Sequence, residues 1–133
     1  MAPSTNAAPS LTTIAQIALT VADLDRSVAF YRDALGMPLL FQAPPGLAFF
    51  RCGAIRLMLS KPEGEFKPGA SSVLYFKIAG IEGAHATLEK RGVTFVDEPH
   101  FITRMPDHDL WMTFFKDPDG NALALMEEKR LTS

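Results

Sequence analysis

Phe114-Phe115-Lys116-Asp117-Pro118-Asp119-Gly120-Asn121-Ala122-Leu123-Ala124-Leu125-Met126 sets a block of turn formers between two apolar runs of strand length. Proline presets φ, glycine and asparagine accept positive φ, and aspartate side chains bond nearby amides. The stretch therefore reads as a β-hairpin closing a domain. Its strands, Leu110–Lys116 and Ala122–Glu127, need upstream partners.

Those partners appear in a fixed order, and the order occurs twice. Ile14–Val21 alternates bulky Ile17, Leu19 and Val21 with Gln16, Ala18 and Thr20, the pattern of a strand with one buried face. Asp23 is placed to cap a helix carrying Leu24, Val28, Tyr31 and Leu35 at helical spacing, and Gly36 to stop it. Beyond Pro44-Pro45-Gly46 come short strands at Ala48–Arg51 and Ala54–Ser60, with Cys52-Gly53 as the turn. After a polar linker, Lys61–Ala70, the series resumes: strand Val73–Ile78, helix Ile81–Arg91, stop Gly92, then a third strand from Thr94 toward Ile102. One offset lays Gln16–Ala22 on Val73–Ala79 and pairs Leu24 with Ile81; a single deletion aligns Gly36 with Gly92.

The expected class is α+β: two tandem βαβββ modules whose curved mixed sheets wrap a cavity, with helices on one face of each sheet. Residues 1–10 read as a disordered tail and 11–130 as a single domain, with module one at about 11–61 and module two at about 71–128. At 133 residues and 47% hydrophobic, the chain suits one core rather than two. A net charge of -2 with scattered cations argues against nucleic acid and anionic membrane as partners. No apolar run nears the roughly 18 residues of a membrane span. A single cysteine, Cys52, forbids an intrachain disulfide and fits a reducing cytoplasm.

Strand parity sorts the side chains, because the bulky set belongs under the helix and the other set faces the concavity. That lining comprises Gln16, Ala18, Thr20, Arg56, Met58, Ser60, Val73, Tyr75, Lys77, Ala122, Ala124 and Met126. It is mostly small or apolar, which suits a small organic molecule.

At this point the chain resembles the vicinal-oxygen-chelate superfamily of glyoxalases, extradiol dioxygenases, fosfomycin-resistance enzymes and bleomycin-resistance proteins. The resemblance rests on Ile17–Val21 with Asp23-Leu24, on Ser27, Phe30-Tyr31 and Leu35-Gly36, on Gly92-Val93, and on Asp117–Asn121. It implies a divalent-metal site formed by the first and last strands of each module, which falls here on Gln16, Met58, Val73 and Ala124. Only Gln16 matches; a thioether is a soft, weak donor for such metals, and Val73 and Ala124 have no donor atom. No bound metal or other cofactor is therefore expected. The resemblance also implies a homodimer, in which a partner covers exposed sheet edges.

The remaining polar residues leave several roles open. His100 and His108 bracket a loop at the expected mouth of the concavity and are candidates for acid/base catalysis, or with Asp107 or Asp109 for a displaced metal site, or for loop structure alone. His85 lies on the helix stripe and reads as a packing residue. Arg56 is an inward cation, and Tyr75 and Trp111 are candidate aromatic walls. Arg51 beside Cys52 is placed to lower the thiol pKa. The preferred reading is a metal-free protein that sequesters or carries a small organic molecule, held by Gln16, Arg56, Met58, Tyr75, Trp111 and Ala124. The alternative is a glyoxalase-like lyase or isomerase, with metal on other ligands or with a histidine base.

Overall fold

Alternation of exposed and buried side chains runs through strand β1 (Gln16–Thr20) as its sequence demands, with Leu19 buried and Gln16 and Ala18 in solvent. The computed structural model describes residue 12 and residues 14–62, 64–67 and 72–131, so the expected tail at 1–10 lies outside the described residues. Helix α1 (Leu24–Ala29) starts where expected: the Asp23 carboxylate accepts the Arg26 amide at 3.0 Å. It runs on as one π-helical turn, Phe30–Ala34, in which the Leu35 amide reaches the Phe30 carbonyl at 3.1 Å. Gly36 then reverses the chain at a φ of 73°, a conformation glycine adopts without steric cost.

Three strands follow. β2 (Leu39–Ala43) is an addition to the strands expected from the sequence; it forms an edge and carries a bulge between Leu39 and Phe41. β3 (Leu47–Cys52) and β4 (Ile55–Ser60) pair antiparallel through the turn Gly53-Ala54, one residue later than expected. The left-handed φ of 61° belongs to Gly53, which fixes that position. β1 pairs parallel with β4, giving the order β1-β4-β3-β2.

The second module repeats the plan with β5 (Leu74–Lys77), α2 (Ile81–Lys90), β6 (Thr94–Phe95), β7 (His100–Arg104), β8 (His108–Lys116) and β9 (Ala122–Arg130). Its sheet runs β5-β9-β8-β6, with β7 also on β8. The single strand expected from Thr94 to Ile102 is split, because Asp97 turns its carboxylate inward to accept Thr113 Oγ1 and the Phe114 amide, each at 2.8 Å. The loop expected between His100 and His108 is instead a hairpin whose Met105 amide meets the His108 carbonyl at 2.8 Å. Equivalent residues keep equivalent partners: Ala18 lies opposite Met58 in the first parallel pair and Tyr75 opposite Ala124 in the second.

The core lies on the helical side of both sheets. Leu24, Val28 and Tyr31 cover Leu19, Phe50, Leu57 and Leu59, while Ile81 covers Phe115, Leu123 and Leu125; all belong to one cluster. Truncating a fully buried leucine there, such as Leu57, should cost about 2–5 kcal/mol. The terminal hairpin locks the modules together. Asp119 accepts Arg26 Nη2 and, at 3.0 Å, Ser27 Oγ, while Asn121 Nδ2 reaches the Thr20 carbonyl at 3.3 Å. Because the modules join through their helical sides, the opposite sheet faces are left open. The curved mixed sheets of the expected α+β fold are present, and the first carries a groove on its open face.

Among the described residues, no helix is long and apolar enough to cross a membrane.

Candidate functional site

On the open face of the first sheet the register lines side chains up in rows. Gln16, Arg56 and Arg51 form one row, Ala18, Met58, Phe49 and Phe41 the next, and Thr20, Ser60, Leu47 and Ala43 the last. Phe41 and Phe49 stack with centroids 4.7 Å apart and planes 24° apart. The Arg56 guanidinium sits 5.6 Å from the Phe49 centroid, within cation–π range. Gln16 Nε2 lies 3.8 Å from Met58 Sδ, a weak acceptor that leaves the amide available. At the Thr20 end, Pro45, Gly46 and the chain after β4 wall a groove of about 850 Å³ floored by Leu47, Met58 and Ser60.

The open face of the second sheet is different. Tyr75, Ala124 and Phe114 share a row, and the outer two rings meet edge-on at 6.0 Å over the small residue between them. Ala124 is fully buried, so a molecule on this face would meet Tyr75 and Phe114 in its place. The next row is Lys77, Met126, Met112 and His100. At the far end, His108 Nδ1 lies 2.7 Å from Asp107 Oδ1, and its Nε2 lies 3.9 Å from Glu128 Oε2, whose other oxygen, Oε1, lies 3.2 Å from Lys77 Nζ. The hydrogen bond from His108 holds the Asp107 carboxyl below the usual carboxylate range, and Arg130 adds to the effect. His100 is exposed and has Nδ1 2.7 Å from the Glu98 carbonyl.

The four positions implied for a metal do not fit one. Gln16 and Met58 face each other as amide and thioether, Val73 is a hydrocarbon side chain, and Ala124 is sealed under an aromatic pair. Hard divalent ions require carboxylate, imidazole or carbonyl donors in convergent sets. The histidines do not supply a displaced site either. His100 lies opposite Met112, four residues along β8 from His108, a separation of roughly 13 Å at strand rise. Asp109 lies on the other face of β8 from His108 and is paired with Arg104 at 2.7 Å. Among the described residues no three His, Cys, Asp or Glu side chains come together as a metal-holding group.

Two further expectations change. Trp111 is not on the open face of either sheet: it lies opposite Phe101 and Glu127, on the helical side, packed against the core with Lys129 4.4 Å from its ring centroid. Cys52 is part-buried, and desolvation pushes its thiol pKa up rather than down, despite Arg51 next in sequence. The sequence reading overlooked Phe41, Phe49 and Phe114 as residues of the open sheet faces. For Phe49 the signal was present, since a hairpin through Gly53 puts it on the face of Arg56 and Met58. His85 is buried as a packing residue, against the Phe95 ring at 4.2 Å between centroids.

Comparison with known proteins agrees with this architecture. The chain is 29% identical to the uncharacterized protein YraH of Bacillus subtilis, over 83% of this chain and 94% of that protein. A lactoylglutathione lyase from Agrobacterium tumefaciens superposes with a TM-score of 0.70 at 25% identity, covering 90% of this chain and 95% of that one. TnmS3, an antibiotic binding protein from Streptomyces sp. CB03234, gives 0.73 at 23% identity, covering 92% and 100%. The profile of the Glyoxalase/Bleomycin resistance protein/Dioxygenase superfamily matches residues 13–125, and the chain belongs to that superfamily.

Proposed function

We propose that this chain binds a small organic molecule on the open face of its first sheet, without a metal, and acts by sequestration or carriage. The observation that supports this most directly is the contrast between the two kinds of position. The metal-ligand places hold an amide, a thioether and two hydrocarbon side chains, while the adjoining surface offers stacked Phe41 and Phe49, Met58, Arg56 and a groove of about 850 Å³. Aromatic walls with a few convergent polar groups are the usual composition of a ligand site. The fold itself does not decide the matter, since it carries both an antibiotic binding protein and a lyase.

A second copy of the chain belongs to this proposal as the groove's cover. Phe41 and Tyr75 are each about half exposed, at 50% and 49%, and the outer edges of β1 and β5 have no strand beside them among the described residues. Free edges and exposed rings of this kind favour a partner. A cytoplasmic location is part of the same reading and rests on one free cysteine.

Melting a purified sample against a library of small organic compounds, in chelator, tests the reading. A ligand present at 100 times its Kd stabilises by about 2.7 kcal/mol, or roughly 10 °C for a domain of this size. A library without a single stabilising compound counts against it.

One arrangement favours the alternative, a lyase or isomerase with a histidine base. Asp107 orients the His108 ring through Nδ1, the geometry that prepares a base. Turnover that survives chelation and is lost in His108→Ala would establish that reading; turnover lost on chelation would point to a metal on ligands other than the four tested above.

A further inference from the structure

We infer that the ligand of the first sheet's open face is a planar aromatic carboxylate, an inference that rests on the binding reading above. Arg51 and Arg56 lie directly opposite one another across β3 and β4. Their amides bond outward, to the carbonyls of Pro38 at 2.9 Å and Ala15 at 3.0 Å. The pair is thus of the non-hydrogen-bonded type, in which side chains approach more closely, and like charges set opposite in this way repel. Among the described residues neither guanidinium has a carboxylate within 4.0 Å. From Leu35 to Pro62 the sequence contains Arg51, Arg56 and Lys61 but no Asp or Glu, in a chain whose net charge is -2. An anion placed between the two arginines removes their repulsion and gains charge-assisted hydrogen bonds.

The neighbouring row specifies the rest of the ligand. Arg56 lies over one face of the Phe49 ring and Phe41 stacks on that ring from the β2 side, so a hydrophobic wall of aromatic edges starts beside the cation pair. Adjacent rows on one face are about 6.6 Å apart. That spacing matches a carboxylate joined directly to a fused ring system, with the acid on the arginines and the ring lying across Met58 and the edges of Phe49 and Phe41. Gln16, in the arginine row, offers its amide to the same carboxylate. An aliphatic acid would satisfy the cations and leave the rings unmatched.

The test is calorimetry at low salt with 2-naphthoate, the neutral 2-naphthalenemethanol and cyclohexanecarboxylate, on wild type and Arg56→Gln, with circular dichroism to show that the variant folds. We expect 2-naphthoate to bind at least about tenfold more tightly than either comparison compound, the scale of one charge-assisted contact. Arg56→Gln should remove that advantage, bringing 2-naphthoate to no more than about the affinity of 2-naphthalenemethanol for the same variant. A second readout needs no ligand: Arg51→Gln should melt no lower than wild type, because it relieves repulsion. A lower melting temperature for Arg51→Gln, or equal affinities for the acid and the alcohol, overturns the inference and leaves the Phe41–Phe49–Met58 row as an apolar site. A shift in sedimentation of Arg56→Gln with no naphthoate binding also overturns it and marks the face as an interface between copies. If no organic compound of any kind binds, the binding reading itself falls.

Discussion

Tyr31 donates its hydroxyl to Asp117 Oδ2 at 2.9 Å, joining the first module's helical arm to the turn of the last hairpin in the second. Both residues are buried, and the same carboxylate accepts the Asp119 and Asn121 amides at 2.9 and 2.8 Å through its other oxygen. Tyr31→Phe should therefore cost about 1.5–3 kcal/mol, the usual worth of a bond to a charged group. Asp117→Ala removes an acceptor serving several buried donors and should cost more, about 3–5 kcal/mol. Urea unfolding of both single variants and the double variant measures the coupling; strictly additive losses would show that the two side chains do not act together.

The same contact predicts an alkaline limb. Burial first, then the negative charge of Asp117, hold the Tyr31 pKa well above its ordinary value near 10. With the folded value raised, the contribution is fully present below pH 10 and is lost as pH rises beyond it, at about 1.4 kcal/mol per pH unit. Between pH 9 and 11.5 the melting temperature of wild type should fall more steeply than that of Tyr31→Phe. Parallel curves would contradict the assignment.

Glu127 caps α2 from a distant strand. Gly80, at the helix start, adopts a left-handed conformation and has no side chain, and the Glu127 carboxylate accepts the Gly80 and Ile81 amides at 2.9 Å each. Glu127→Ala should cost about 1 kcal/mol and speed hydrogen exchange in the first turn of α2. Unchanged exchange at Gly80 and Ile81 would remove the capping role.

The raised thiol pKa of Cys52 predicts slow chemistry. At pH 7 its modification by a disulfide reagent should be slower than that of a free thiol, with the difference shrinking as pH rises. A fast reaction at neutral pH would mean that the thiol is activated after all.

The fold was legible where local chemistry and tertiary packing agree. Asp23, Gly36, Gly92 and the Asp117–Asn121 turn each announce a boundary, and period-two alternation in β1 and β4 gave the open face directly. Where bulky residues are adjacent, parity is silent. Leu110-Trp111-Met112 and Phe114-Phe115 offer no contrast between faces, so Trp111 could be placed only by its register with Phe101 and Glu127. The charged run Glu127–Arg130 resembles a strand end, yet β9 continues through it because Glu127 serves a helix and Lys129 pairs with Glu82 at 2.6 Å. The split between β6 and β7 depends on where the Asp97 carboxylate turns, a tertiary fact that no periodicity records.

The central claim, ligand binding without a metal, is tested most directly by elemental analysis of purified, untagged protein, with melts in Mn, Fe, Ni, Zn and chelator on the same sample. The arrangement of Gln16, Met58, Val73 and Ala124 predicts well under one metal per chain and no stabilisation by any of the four ions. About one metal per chain, with a large rise in melting temperature that chelator reverses, would contradict it.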